Sequence, residues 1–389
     1  MAANEAAVRP LSVLVVGVSW PMETFVERLV RGLANRGVEV TVRSRHRPPA
    51  RWMAETGVRW EHGTGRPDRS SMRAAFEANG IAGALNAGVA GLRYRGDGPG
   101  RRGPVPDVVY APWLNTLISY PGLFNLGVPV VTSARGSLVT IAPWDPGRPG
   151  HREHVAEVFQ RCGAVHCVSD RIVDDAVQLG LDRSKATVIH PAVDPKMFDA
   201  GRPRRSGDAV RVIGVGTLNW VKDYEHALLA LRHAVNAGAD VRLDLIGDGP
   251  DRQHLEFAID DLDLSDRVGL LGKRDPAEVA ERLRDADVFL HTSSAEGISN
   301  AVLEAMSAGL PVVTTDAGGM SEAVRDGEDG FVVPVRDAAA AAKSLVRLAS
   351  DPQLRERVGA SARQRVLDRF RLDQQIDDFI ELFRRVAAQ

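Results

Sequence analysis

The sequence predicts an α/β protein of two Rossmann-like, doubly wound parallel-sheet domains facing each other across a central cleft. Three observations carry this reading. The chain has 389 residues, more than the ~250–300 at which a single hydrophobic core stops growing. Short apolar runs alternate with amphipathic stretches of helical period along its length, as in successive βαβ units. One aperiodic segment, PAVDPKMFDAGRPRRSGDA over 191–209, breaks the alternation near the middle. The expected division is a first domain over 1–195, a linker over 196–209 and a second domain over 210–372. The terminal helix 373–389 is expected to pack back on the first domain.

The first domain opens with the strand LSVLVVGV (11–18) and a turn at Trp20-Pro21. ETFVERLVRGLANRG (23–37) repeats apolar residues at Phe25, Leu29 and Leu33, a helical spacing. Gly37 ends that helix, because glycine accepts left-handed backbone angles. VEVTV follows as a strand, and further strands are expected over 107–111, 128–132, 164–168 and 187–190. Residues 93–106 and 142–151, rich in Gly, Pro and Arg, read as exposed loops. In the second domain strands are expected over 210–216, 241–246, 268–271, 288–291, 311–314 and 330–333. Ligands of doubly wound sheets bind beyond the carboxyl ends of the strands, so the loops after strands are where chemistry is sought.

Composition narrows the function classes. An apolar share of 44% and a charged share of 26% are those of a globular protein. No apolar run approaches the ~20 residues that cross a bilayer. The start, MAANEAAVRP, lacks a basic segment followed by an apolar one. The expectation is a cytoplasmic protein, peripheral at most at the inner face of the membrane. Cys162 and Cys167 flank a strand and read as buried free thiols. Residues 1–200 hold 24 Lys and Arg against 19 Asp and Glu, and the remainder 25 against 32. The first half is therefore the basic one, with Arg43, Arg45, Arg47 and Arg51 clustered after a strand. That cluster reads either as a solvated loop or as a seat for an anionic acceptor or acidic lipid head groups. Nucleic acid is not an expected partner, since no aromatic residues are interleaved to stack on bases.

The segment richest in chemistry is AEGISNAVLEAMSAGLP (295–311), directly after VFLHTSS. It sets Glu296 in a loop and Glu304 inside the following helix. The first amides of a helix lack partners within it and sit at the positive end of its dipole, a seat for a diphosphate. Gly297 lets the backbone approach a ligand. A carboxylate accepts through both oxygens and so matches vicinal hydroxyls: Glu296 suits the sugar, Glu304 the ribose. The alternative is two glutamates decorating a helix start. Upstream, VGTLNWVKDYEHALLAL (215–231) carries Lys222 before a helix, within reach of a phosphate or as an ordinary surface lysine. Gly247 in IGDGP, Lys273 and Arg274 in LLGKRD, and AGGMSEAV form further loops after strands.

On these segments the chain resembles the family 4 glycosyltransferases of GT-B architecture, near the exopolysaccharide (colanic-acid-type) biosynthesis enzymes. The likeness is most specific in EGISNAVLEAMSAGLPVVTTDAGGMSEAV and extends to PMETFVERL and CVSDRIVDDAVQLGLDRSKATVIHPAVDPKMF. It implies donor-sugar and ribose roles for Glu296 and Glu304, and a diphosphate role for Lys222. The backbone of Gly297, Ile298 and Ser299 would meet sugar hydroxyls. The helix start at Asn300, Val302 and Leu303 would meet the pyrophosphate, and Lys273 and Arg274 the base. Asn219 and Gly247 lie on the same donor side. The implied reaction is hexosyl transfer with retention and without a metal or cofactor. Its partners are a nucleotide diphosphate sugar, UDP ahead of GDP, and an unidentified hydroxyl acceptor. Two departures stand out: Thr217 occupies the place of the family's Arg, and Arg135 precedes Gly136 where the family has His-Gly. Loss of the first charge weakens a diphosphate site by roughly 1.5–3 kcal/mol; Arg135 either compensates catalytically or contacts the acceptor.

Three rivals remain beside this reading. A dinucleotide-dependent dehydrogenase lacks the third glycine of its fingerprint, Asn219 standing there. A nucleotide-sugar epimerase would use the same fold without an acceptor. A non-catalytic binding protein is motivated by Thr217 and Arg135. Asp261-Leu262-Asp263 resembles a metal-binding DxD triplet but sits in an acidic turn.

Overall fold

The computed structural model describes residues 9–63, 105–198 and 209–389. Most of the loop expected over 93–106, residues 199–208 of the expected linker and the first eight residues lie outside the described residues. The chain divides into one unit of Met1–Ile189 with Ile376–Gln389, and a second of His190–Gln375.

The first unit is built on β1 (Ser12–Val18), β2 (Glu39–Ser44), β3 (Arg59–His62), β4 (Val108–Ala111), β5 (Val130–Ala134), β6 (Ala164–Cys167) and β7 (Ala186–Val188). They form one sheet in the order β3-β2-β1-β4-β5-β6-β7, every pair parallel. Strands covered on both faces tend to read as apolar runs rather than alternating ones; β4 does so, and β5 and β6 are buried along their whole length while carrying polar Thr132, Ser133 and His166. β3 was not expected from the sequence: RWEH has no apolar run, and it lies at the sheet edge with both ends exposed.

The helix Thr24–Asn35 buries Val26, Leu29, Val30 and Leu33. Phe25, expected on that face, instead turns its ring to Trp113 at 5.5 Å. The helix Leu372–Ala387 lays Ile376 where a side chain on Gly32 would sit, 2.1 Å from a β-carbon there. Its Phe379 and Phe383 pack on the buried Tyr110. Beneath them a chain of hydrogen bonds links Tyr110 Oη to Ser133 Oγ (2.8 Å), Ser133 to His166 Nδ1 (2.7 Å) and His166 Nε2 to the Ile189 carbonyl (2.8 Å). That buried polarity is satisfied, as low-dielectric surroundings require.

The second unit holds β8 (Val210–Val215), β9 (Val241–Ile246), β10 (Val268–Gly272), β11 (Val288–His291), β12 (Val312–Thr315) and β13 (Gly330–Val333). Their order is β10-β9-β8-β11-β12-β13, again all parallel. One sheet face packs Leu228, Leu231, Leu243 and Leu245; the other packs Phe289, Val302, Leu303 and Met306. Chain order reverses between β8 and β11, as it does between β1 and β4 in the first unit. In doubly wound sheets that reversal opens a crevice at the carboxyl ends of the two strands. Among the described residues no helix is long and apolar enough to cross a membrane.

Candidate functional site

Both strands at the reversal of the second sheet end in loops that carry chemistry. After β8, the Gly216 amide donates to the Ile246 carbonyl (2.9 Å) and the Leu218 amide to the Asp248 carbonyl (3.1 Å). This approach needs glycine opposite. A β-carbon on Gly247 would lie 1.8 Å from the Gly216 oxygen, and one on Gly249 2.2 Å from the Leu218 oxygen. Asn219 then turns the chain: its side-chain oxygen accepts from the Lys222 amide (3.1 Å) and its carbonyl from the Asp223 amide (3.3 Å). Thr217 is exposed beside that turn.

Asp223 adopts a left-handed backbone, φ 53°, a conformation that Asp tolerates better than most residues. Its carboxylate accepts from Ser294 Oγ (2.7 Å), pairs with His226 Nδ1 (2.7 Å) and lies 3.7 Å from Arg336 Nε. Thr292 Oγ1 donates to the Asp223 carbonyl (2.9 Å) and the Ser294 amide to the Val221 carbonyl (2.8 Å). The loops after β8 and β11 are thereby tied together, and Lys222 is brought to Glu296.

Lys222 Nζ donates to Glu296 Oε1, both side chains being largely buried. The same oxygen accepts from Ser293 Oγ (2.9 Å) and meets His291 Nε2 at 3.0 Å. Burial works to raise the Glu296 pKa, but the Lys222 ammonium and the hydrogen bond from His291 hold it down at about 2. For His291, 1% exposed, burial dominates and lowers its pKa against the pull of Glu296. An ionised carboxylate can only accept, so the His291 ring donates from Nε2, which lies 3.0 Å from Ser293 Oγ as well as from Glu296. Tyr224 lies below: its buried hydroxyl has no hydrogen-bond partner among the described residues. Burial, and then the Glu296 charge, push that phenol up.

The helix expected after Glu296 runs Asn300–Ser307. Ser299 stands at its N-cap without a side-chain capping bond, and its carbonyl accepts from the Leu303 amide (3.2 Å). The amides of Asn300, Ala301 and Val302 thus form the open first turn. Val302 and Leu303 are fully buried, and the Leu303 amide is spent on the Ser299 carbonyl, so Leu303, nominated for the pyrophosphate, has no free amide to offer it. Gly297 and Ile298 are buried and Glu304 is half-buried within the helix. The Gly319 amide donates to the Gly297 carbonyl (2.7 Å), and a β-carbon on Gly318 would lie 1.9 Å from the Glu296 oxygen. AGGMSEAV therefore braces the Glu296–Gly297 backbone.

Other nominated residues lie on other elements. Lys273 and Arg274 are exposed after β10, Arg274 within 3.5 Å of Glu278. Arg135 belongs to the first unit, where its guanidinium lies 4.1 Å over the Phe25 ring and its buried Nε has no hydrogen-bond partner among the described residues. Asp263 is an exposed turn residue with φ 47°, near Arg232. Among the described residues no group of His, Cys, Asp and Glu is arranged to hold a metal. Cys162 and Cys167 are free and buried, and burial pushes both thiols up to about 12.

Sequence reasoning missed His291, Ser293, Asp223 and Tyr224. The available signal was HTSS, a polar run closing a buried strand: polar groups there must find partners or line a ligand site.

Residues 199–365 match the family model described as Glycosyl transferases group 1, and residues 22–197 that described as Glycosyltransferase Family 4. N-acetyl-α-D-glucosaminyl L-malate synthase of Bacillus anthracis is 25% identical over 263 residues, 66% of this chain and 68% of that protein. Putative colanic acid biosynthesis glycosyltransferase WcaL of Salmonella typhimurium is 31% identical over 221 residues, 55% and 54% of the two chains. The chain thus spans about half the length of that second relative. The crystal structure of Anabaena HepE in complex with UDP and glucose superposes with a TM-score of 0.71 at 19% identity, covering 95% of this chain and 98% of that one. With two Rossmann-like parallel sheets of matching order and two adjoining family models, this chain belongs to the family 4, group 1 glycosyltransferases of GT-B fold.

Proposed function

We propose that the chain is a retaining hexosyltransferase that moves a sugar from a nucleoside diphosphate, UDP ahead of GDP, to an acceptor hydroxyl without a metal ion. The observation that carries this is Lys222 paired with Glu296 at the reversal of the second sheet, next to an open helix start. When the bond from the anomeric carbon to the diphosphate breaks, charge collects on phosphate oxygens. Lys222 and the amides of Asn300, Ala301 and Val302 meet that charge, the kind of preorganised stabilisation that dominates many enzymes. Glu296 and the backbone at Gly297–Ser299 hold sugar hydroxyls, and Glu304 the ribose. The acceptor oxygen bonds to the anomeric carbon on the face the diphosphate leaves, and a phosphate oxygen takes its proton. No side chain need act as a covalent nucleophile.

The UDP preference leans on the UDP named for the Anabaena neighbour. An acidic acceptor leans on the L-malate named for the Bacillus relative and suits Arg135 as the acceptor-side cation. The reading assigns the reaction to the cytoplasmic side. Attraction to acidic lipids is reduced at two positions of the cluster, since Arg43 pairs with Glu61 and Arg51 with Glu55.

The test is calorimetric titration with UDP- and GDP-sugars, followed by assay of nucleoside diphosphate release with candidate acceptors. Conversion of the donor without acceptor would mark an epimerase, and binding without release a binding protein. Near-normal transfer in both Glu296→Ala and Lys222→Ala defeats the assignment.

A further inference from the structure

Three hydrogen-bond donors converge on one oxygen of Glu296. Lys222 Nζ, His291 Nε2 and Ser293 Oγ all address Oε1, and Ser293 Oγ also lies 3.0 Å from His291 Nε2, so the two brace each other as well as the carboxylate; a carboxylate oxygen offers about two lone-pair sites. Oε2 makes no hydrogen bond among the described residues. One donor on Oε1 is therefore surplus, and the three differ in their freedom to leave. His291 ends β11 and is 1% exposed. Ser293 is fully buried, and Thr315 Oγ1 clamps its carbonyl at 2.6 Å. Lys222 alone is on a long, flexible side chain and is 22% exposed.

We infer that His291 is a positioning residue. With Ser293 it keeps the Glu296 carboxylate oriented and hydrogen-bonded when Lys222 turns from it to the donor diphosphate. The inference rests on the donor reading above and adds to it a division of labour. Lys222 serves as a latch while the site is empty and as a phosphate ligand when it is filled. His291 and Ser293 occupy both lone pairs of Oε1 throughout, so Oε2 presents a fixed acceptor to a sugar hydroxyl. Without them, a filled site would leave a buried carboxylate short of donors at the moment its usual cation departs, and the sugar would bear that cost. The neutral imidazole suits this role. It donates one N–H to the carboxylate without competing with Lys222 for the phosphates as a second cation would.

The signature is a loss confined to the sugar. Full-length wild type and variants are titrated with UDP, UDP-glucose and UDP-N-acetylglucosamine, and each UDP-sugar affinity is compared with that for UDP. In His291→Leu the affinity for the preferred UDP-sugar should fall about tenfold or more, the scale of one hydrogen bond to a charged group, while that for UDP stays within about threefold. His291→Gln, whose amide nitrogen can occupy the position of Nε2, should restore the sugar preference. Ser293→Ala should lose part of it, which keeps the test decisive should the leucine variant fail to fold. Equal losses for UDP and UDP-sugar in the folded variants overturn the inference, as does an unchanged preference or a failure of His291→Gln to rescue. If wild type binds none of the three probes, the reading of a UDP-sugar donor falls and takes this inference with it.

Discussion

The two sheets repeat one strand order, so each has a reversal at corresponding strands, β1/β4 and β8/β11. Their loops differ in kind. At β8/β11, Lys222, Asp223, His291, Ser293, Ser294 and Glu296 form one hydrogen-bonded, charged network. At β1/β4 the surroundings are aromatic: Trp20 lies edge-on to Trp52 at 5.1 Å, Phe25 to Trp113 at 5.5 Å, and Arg135 stacks on Phe25. A common topology supplies the crevice, while loop residues decide what it can hold. Interlocked charge suits a ligand with fixed negative charge. Aromatic surface with one guanidinium suits a ligand recognised by ring faces and a single anionic or polar group.

The largest expected effect lies on the charged side. Lys222→Ala and Glu296→Ala should each lower transfer by at least ~10²-fold, the cost of removing one preorganised stabiliser, with melting temperature the control for folding. Trp113→Ala, at the other reversal, should leave donor affinity within about twofold of wild type, since no fixed charge is lost there. A donor-binding loss in Trp113→Ala as large as in Lys222→Ala would erase the contrast.

Next in size is a difference in how tightly the loops close. Gly17 and Gly247 both have positive φ, but a β-carbon on Gly17 would meet the Thr116 side chain at 2.0 Å, and one on Gly247 the Gly216 carbonyl oxygen at 1.8 Å. A side chain can be trimmed and backbone cannot. Gly247→Ala should cost about 2–4 kcal/mol in urea unfolding, combining strain at positive φ with overlap. Gly17→Ala should be partly rescued by Thr116→Ser or Thr116→Ala. Equal rescue of Gly247→Ala by any neighbouring truncation would show that the donor-side loops are no more constrained than the aromatic ones.

The contrast was unevenly legible in the sequence. Most strands announce themselves as apolar runs because parallel strands are covered on both faces, and β9, β11 and β13 fall where the pattern puts them. β3 escaped because an edge strand exposes its ends, and RWEH carries no periodic signal. Glu296 and Lys222 were legible as candidates from motif and spacing. Their pairing was not, since it depends on β8 and β11, far apart in sequence, being neighbours in the sheet. His291 was read as the end of a strand, and only the fold brings its ring to Glu296. Asn219 was nominated for donor contact, but its side-chain oxygen is engaged in the turn that presents Lys222.

A smaller effect should appear on the aromatic side. Arg135→Ala removes the cation over Phe25. If the guanidinium contacts the acceptor with the strength of an exposed to partly desolvated cation–π contact, roughly 0.5–2 kcal/mol, acceptor KM should rise about two- to thirtyfold. Donor affinity should change less than twofold if the guanidinium serves the acceptor. A matching fall in donor affinity would instead assign it to the diphosphate.

The smallest effect separates the sites by sign. Glu296 is held near 2, below its ordinary 4.5, despite burial and chiefly by Lys222. Its folded form is therefore stabilised fully above about 4.5, and that contribution disappears as pH falls toward 2. Glu23, just after β1, is shifted the other way: burial raises its pKa above 4.5, and Arg135 only partly opposes it. Between 4.5 and its raised folded value the unfolded chain ionises first, so this group lowers stability as pH rises through that window. Difference curves of unfolding free energy against pH should thus slope oppositely. Glu296→Gln should lose its deficit relative to wild type on acidification from 4.5 to 2.5. Glu23→Gln should gain slightly on wild type as pH rises from 4.5 toward 7, by a small amount because its desolvation is partial and water still reaches the side chain. Slopes of the same sign would mean that the carboxyl at the aromatic reversal is also held ionised by a partner, making the two sites alike in charge.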